Sequence, residues 1–81
     1  MAFCVYVLKS GRDGIRYVGS GADARTRLLR HNLGDYRFTK GHRPWMLIYE
    51  EQYETRSEAV KRELFLKSGQ GRRFLDSILG S

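Results

Sequence analysis

The sequence predicts a small α+β domain, with helices layered around a three-stranded sheet in the order β-β-α-β-α-α. Three observations predict it. Two β-branched and aromatic runs flank a glycine-bearing turn near the N-terminus. A third such run follows Pro44, the only proline. Helix-start chemistry stands at Asp23 and again at Thr55-Arg56-Ser57-Glu58.

In chain order, Phe3 to Lys9 is apolar and aromatic and reads as a buried strand. Ser10-Gly11-Arg12-Asp13-Gly14 is a turn, and Ile15 to Gly19 is the returning strand, so the pair forms a hairpin. Asp23 caps a helix running to about Asn32, with Leu28 and Leu29 as its apolar stripe and Leu33-Gly34 as its stop. The stretch from Asn32 to Arg43 is polar and glycine-containing, with Tyr36 and Phe38 inside it. Trp45 to Tyr49 is the third strand. Thr55 to Glu58 matches a capping box, and the helix behind it is expected to turn Ala59, Val60, Leu64 and Leu66 inward. Ser68-Gly69-Gln70-Gly71 breaks that helix, and a last short one runs from Arg72 to Leu79 and ends at Gly80.

With 81 residues and neither a linker nor a repeat, residues 1–81 read as a single domain. A chain this short buries only about 60% of its unfolded surface. Its core therefore has to draw on the four Phe, five Tyr and one Trp. Fifteen Lys and Arg against nine Asp and Glu give a formal charge of +6, and eleven of the fifteen are Arg. Arg suits bidentate recognition of phosphate, so the excess points to a polyanion, nucleic acid first. A merely solvated basic face is the alternative. The single cysteine, Cys4, excludes an intramolecular disulfide and a Cys/His metal cluster. The longest apolar run, Ala2 to Leu8, is far too short to span a membrane, and the first residues lack the pattern of a signal peptide. The chain reads as cytoplasmic, with no membrane partner.

Arg27 and His31 are four apart and share one face of the first helix. If Leu28 and Leu29 mark the buried side, Arg25, Arg27, Arg30 and His31 fan across the other. That face is either a solvated basic surface or a phosphate clamp with a group able to move a proton near neutrality. Tyr6 and Tyr17 fall on adjacent strands of the hairpin. Each is either core filler with its hydroxyl at the rim, or a phenol positioned over water and phosphate. Glu63 either pairs with Lys67 in an ordinary i,i+4 bridge or holds Mg²⁺, which needs few protein carboxylates when water and substrate phosphate fill the other positions. No acid follows Asp23 in the first helix, so no second ligand for a two-metal site is in view. Thr39-Lys40-Gly41-His42-Arg43-Pro44-Trp45 is either a surface loop anchored by a core Trp or a loop that touches phosphate.

Taken in order, Tyr6, Tyr17-Val18-Gly19-Ser20, Arg27, His31-Asn32, Thr39-Lys40-Gly41, Arg43-Pro44-Trp45, Ser57-Glu58-Ala59, Lys61-Arg62-Glu63 and Lys67-Ser68 resemble the small stand-alone members of the GIY-YIG nuclease family. The resemblance covers residues 3 to about 75. It implies a central three-stranded antiparallel sheet flanked by helices, and Mg²⁺-dependent cleavage of a DNA phosphodiester at a single-metal site, with Mn²⁺ as the alternative ion. By position it implies Tyr6, Tyr17, Arg27, His31 and Glu63 as catalytic residues, with Glu63 on the metal. Tyr6 is then the general base, Arg27 stabilises charge on the phosphoryl oxygens, and Tyr17 and His31 position water and phosphate. Such a base needs its phenol brought down from a pKa near 10. Arg25, Arg30, Arg37, Lys40, Arg43 and Lys67 are the expected contacts to nucleic acid.

Cys4-Val5-Tyr6 replaces Gly-Ile-Tyr, Val18 replaces the second Ile, and Gly21 stands where many relatives carry Thr. Many GIY-YIG nucleases act through a second domain. Substrate choice here is expected from the chain's own basic surface or from an accessory protein. DNA is the implied partner, with RNA left open. The competing readings are a non-catalytic nucleic-acid-binding module on the same fold, and a small partner-binding scaffold.

Overall fold

The computed structural model describes residues 2–80, so Met1 and Ser81 of the expected 1–81 domain lie outside the described residues. The elements are β1 (Phe3–Ser10), β2 (Arg16–Gly21), α1 (Ala24–Leu33), α2 (Arg37–Lys40), β3 (Trp45–Tyr53), α3 (Arg56–Lys67) and α4 (Gly69–Leu79). The strands form one antiparallel sheet in the order β2-β1-β3, as the sequence predicts.

β1 is central and buried on both faces, which is why its sequence runs apolar without alternation. Its side chains still divide by parity. Val5 and Val7 pack with Val18, Ala59, Leu66 and Leu75, the layer of α3 and α4. Cys4, Tyr6 and Leu8 pack with Ala24 and Trp45, the side of α1. The sheet is thus sandwiched between two helical layers, and β2 is one of its edges. No described helix is long and apolar enough to cross a membrane.

The caps behave as their residue types require. The Asp23 carboxylate accepts from the Arg25 amide at 3.2 Å, and Gly34 ends α1 in the left-handed region at φ 87°. Thr55 and Glu58 complete a reciprocal capping box at the start of α3.

Five expectations need correction. The stretch from Asn32 to Arg43 contains a helical turn, α2, and β3 continues to Tyr53. Ser68 to Gly71 is not a spacer: the Ser68 hydroxyl accepts from the Gly71 amide and α4 begins at once. A Cβ on Gly71 would lie 2.0 Å from the Phe65 carbonyl oxygen, so the two helices meet backbone to backbone. In α1 the inward residues are Ala24 and His31, while Leu29 is exposed. In α3 they are Ala59 and Leu66, while Val60 and Leu64 are exposed. The reason is helical phase. Ala24 and His31, like Ala59 and Leu66, are seven apart and share a face, and a small alanine lets each helix sit close to the sheet. Leu29, Val60 and Leu64 then fall outside the stripe.

Candidate active site

The site is built around the β2 edge. Tyr6 pairs with Gly19 across the hairpin and Leu8 with Tyr17, so both phenols stand on the α1 face of the sheet. Both rings close on His31, at centroid distances of 6.0 Å from Tyr6 and 4.9 Å from Tyr17. Gly19 is what allows this approach, because a Cβ there would come within 2.5 Å of the Tyr6 hydroxyl.

His31 is buried, contrary to its expected place on a solvated face, and both ring nitrogens are engaged. Nε2 lies 3.2 Å from the Tyr6 hydroxyl. Nδ1 lies 2.8 Å from Thr39 Oγ1. The Thr39 hydroxyl has the Tyr36 carbonyl as acceptor at 3.5 Å, which leaves it accepting from Nδ1–H. Nε2 is then the bare nitrogen, and Tyr6 O–H donates to it. In the other tautomer the Tyr6 proton has no acceptor among the described residues. Every buried side-chain nitrogen and oxygen among them has a partner.

Burial pushes the Tyr6 phenol well above its ordinary value. Tyr17 adds to the rise, and the Arg27 charge opposes it without prevailing. The lowered phenol that the sequence reading requires of a resting general base is therefore not present. Burial and the Arg27 charge move His31 the other way, below its ordinary 6.5, so it is a neutral imidazole at pH 7.

Arg27 is half-buried on α1. Its guanidinium donates from Nη1 to the Tyr36 hydroxyl at 3.3 Å. Gly21 accommodates it, since a Cβ there would meet Arg27 Nε at 2.8 Å. The glycine that departs from the Thr of many relatives is thus a cradle for the arginine. Asn32 braces the same helix by donating to the Trp45 carbonyl at 3.1 Å and accepting from its amide at 2.7 Å.

Glu63 arrives from the other layer. Ser20 of β2 hydrogen-bonds its Oε1, and Lys67 Nζ stands 2.7 Å from Oε2. Glu51 of β3 offers a contrast. It accepts from Arg62 Nε at 2.8 Å, Arg62 Nη2 at 3.1 Å, the Tyr49 hydroxyl at 2.5 Å and the Tyr53 hydroxyl at 2.7 Å. Four donors fill the lone-pair sites of that carboxylate. Glu63 has two donors, one of them a flexible surface ammonium, and so retains capacity for a cation. No cluster of three or more His, Cys, Asp or Glu suited to a metal exists among the described residues. A single hard oxygen donor of this kind fits a hydrated Mg²⁺ shared with phosphate, and does not fit a tight preformed site.

The expected phosphate contacts divide. Arg25, Arg37, Lys40 and Arg43 are exposed on or beside α1 and α2. Arg30 bridges to Asp35 at 3.2 Å on the surface, a weak tie. Lys67 lies 5.9 Å from the Tyr17 ring centroid as well as on Glu63, which puts it inside the site. The roles of Ser20, Tyr36 and Thr39 carry no local signal: each depends on a partner in another element.

A family model described as the GIY-YIG catalytic domain matches residues 2–74. UPF0213 proteins of Staphylococcus aureus strains Mu50 and N315 are each 45% identical over 65 residues, 79% of this chain and 78% of the relative. The solution structure of a UPF0213 protein from Bacillus halodurans superposes with a TM-score of 0.58 at 28% identity, covering 100% of this chain and 88% of that one. Two phenols, an arginine and a glutamate gathered on one sheet edge are thus set in a chain that belongs to the GIY-YIG catalytic-domain family, a nuclease-type family.

Proposed function

We propose that this chain is a Mg²⁺-dependent endonuclease that hydrolyses DNA phosphodiester bonds at a single-metal site, Mn²⁺ serving in place of Mg²⁺. The observation that carries the reading is the convergence at the β2 edge of the Tyr6–His31–Thr39 hydrogen-bond chain, Arg27, and a glutamate with spare lone pairs. Hydrolysis needs a proton removed from water and charge relieved on the phosphoryl group. Tyr6 is neutral at rest, so it serves as base only if its own proton leaves as the water's proton arrives. His31 Nε2 is aimed to take that proton. Thr39 fixes the tautomer that makes Nε2 an acceptor. Arg27 stabilises the phosphoryl oxygens, and Tyr17 positions the phosphate beside it. A bound Mg²⁺ would supply positive charge at the scissile phosphate, held through Glu63 once Lys67 yields the oxygen. Arg25, Arg30, Arg37, Lys40 and Arg43 dock the DNA backbone.

The test is incubation of duplex, single-stranded and flap DNA with Mg²⁺, beside EDTA and a Glu63→Ala variant. Cleavage that disappears in both controls is the expected result. Cleavage that persists in Glu63→Ala would remove the metal assignment. DNA binding without cleavage under any divalent ion would leave a non-catalytic binding module instead.

A further inference from the structure

We propose that Phe38 is a stacking platform for an unpaired base, so that the preferred substrate presents single-stranded DNA beside the scissile phosphate. This rests on the nuclease reading and names its substrate class. α2 is one turn long, Arg37–Lys40, and its burial is inverted. Thr39, the polar residue, is 1% exposed, and Phe38, the aromatic one, is 58% exposed. Thr39 is inward because His31 requires it. With Thr39 inward, helical phase turns Phe38 to the surface, at a cost in hydrophobic burial.

The ring does not stand alone on the surface. Its centroid is 6.4 Å from that of Tyr17 and 4.9 Å from that of His42. It therefore continues the aromatic row that begins at His31 in the site and carries it into solvent. Exposed cations share its segment. Arg37 precedes it, Lys40 closes the turn, and Arg43 folds back to donate from Nε to the Lys40 carbonyl at 2.9 Å. Arg12 reaches the same loop from the β1–β2 turn, donating to the Gly41 carbonyl at 3.0 Å. An aromatic face among such cations matches the surfaces that hold single strands, where bases stack and phosphates pair with Arg and Lys. A duplex keeps its base faces stacked and offers this ring only edges and backbone. The occupant is therefore an unpaired base of a single strand, a flap or a junction.

The test measures binding without cleavage, so that it does not depend on the chemistry. Fluorescence anisotropy of a labelled oligothymidine and of a labelled duplex is recorded in EDTA at fixed salt, for the parent protein and for Phe38→Ala, Phe38→Leu and Phe38→Trp. Phe38→Ala and Phe38→Leu should weaken single-strand binding about 5- to 150-fold, the range for loss of one stacked base. Phe38→Trp should retain it, and duplex binding should change little in all three. Because Phe38 is exposed, circular dichroism should show the parent fold throughout. Equal losses on both probes, full binding by Phe38→Leu, or no loss in Phe38→Ala would each overturn the inference and leave the nuclease reading intact. Failure of the parent to bind either probe would overturn both. DNA cleavage lost while the Phe38 dependence persists would overturn only the nuclease reading.

Discussion

The two faces of one three-stranded sheet are built on different rules. Against α3 and α4 the sheet presents Val5, Val7 and Val18 to Ala59, Leu66 and Leu75, a dry apolar layer. Its polar group there, Glu51, is closed by four hydrogen bonds, and Arg62 is further covered by Phe65 and Phe74 at 4.9 and 5.0 Å. Against α1 and α2 the same sheet buries Tyr6, His31 and Thr39, polar groups joined in a chain that ends beside Arg27. A saturated carboxylate anchors; a hydrogen-bond chain with one bare imidazole nitrogen can move a proton. The first face holds the fold through its interior and lends Glu63 and Ser20 to the site at its rim, whereas the second buries polar groups within the site itself. The difference teaches that burial alone does not distinguish core from site. What distinguishes them is whether a buried polar group has anything left to give.

Paired substitutions break the comparison most sharply. Tyr6→Phe keeps the ring and its packing and removes the donor to His31. It should lower the cleavage rate by about two to four orders of magnitude, the usual contribution of a general base. Its unfolding free energy should fall by about 1–3 kcal/mol, because the buried His31 Nε2 loses its donor, a smaller loss than in Leu66→Ala. Leu66 is fully buried on the apolar face. Its truncation should lower stability by about 2–5 kcal/mol in urea unfolding, with cleavage by the remaining folded protein near parent level. If Tyr6→Phe cleaves normally while Tyr17→Phe is inactive, the base is the other phenol. If both variants lose stability equally, the two faces do not divide the labour.

Sequence legibility follows the same line. The apolar face is written locally in part: β-branched runs give the strands and Thr55 and Glu58 the capping box, but of the expected stripe Ala59, Val60, Leu64 and Leu66 only Ala59 and Leu66 are buried. Tyr6, Tyr17, Arg27, His31 and Glu63 are named by the resemblance, and the structure gathers all five at the β2 edge. Phase and partnership stay hidden. Leu28 does pack on the α1-side core, but taking Leu29 with it as the inward stripe places His31 outside, because a histidine ranks behind leucine by hydropathy. Its burial is offset by Tyr6 on one ring nitrogen and, on the other, by Thr39, eight residues away on a turn too short for any periodic signal. A low Tyr6 phenol is what the role of general base requires, with help from the metal and nearby basic groups. The phenol is high because desolvation on a central strand outweighs the single guanidinium.

Thr39 gives a smaller and more selective effect. Thr39→Val preserves shape and removes the hydroxyl that accepts from His31 Nδ1–H. That buried donor loses its partner, a loss of about 1–3 kcal/mol in stability. The imidazole is also freed to carry its proton on Nε2, where it no longer accepts from Tyr6. Cleavage should fall about tenfold, near 1.4 kcal/mol of transition-state stabilisation, and Thr39→Ser should restore it. A Thr39→Val protein that loses stability but cleaves at the parent rate would reduce Thr39 to a packing role. NMR of the His31 ring nitrogens separates the two outcomes, since the tautomer changes only if the assignment is right.

The gentlest probe is proton concentration, and it reaches one face only. His31 lies below 6.5 in the folded chain and at 6.5 when unfolded. Below pH 6.5 the unfolded state therefore binds the proton that the folded state refuses. Stability falls as pH drops through that value, with a slope of at most about 1.4 kcal/mol per pH unit, and the loss is absent above it. On the apolar face the shifted groups all move away from this range. Glu51 is held below 4.5 by its donors, although burial opposes them. Tyr49 and Tyr53 are pushed above 10 by burial and by Glu51, and Arg62 is raised by the same carboxylate. Asp13 and Asp23 are both lowered from 3.8, so their contribution is lost only in more acid solution. Urea unfolding at pH 5, 6, 7 and 8 should then show a decline below pH 6.5 that is reduced in His31→Gln, whose glutamine has no proton to take up. His42, paired with Asp13 at 2.6 Å, is the same in both proteins. Equal slopes for parent and variant would mean that His31 accepts a proton in the folded state as readily as in water, and the bare Nε2 proposed to serve Tyr6 would not be there.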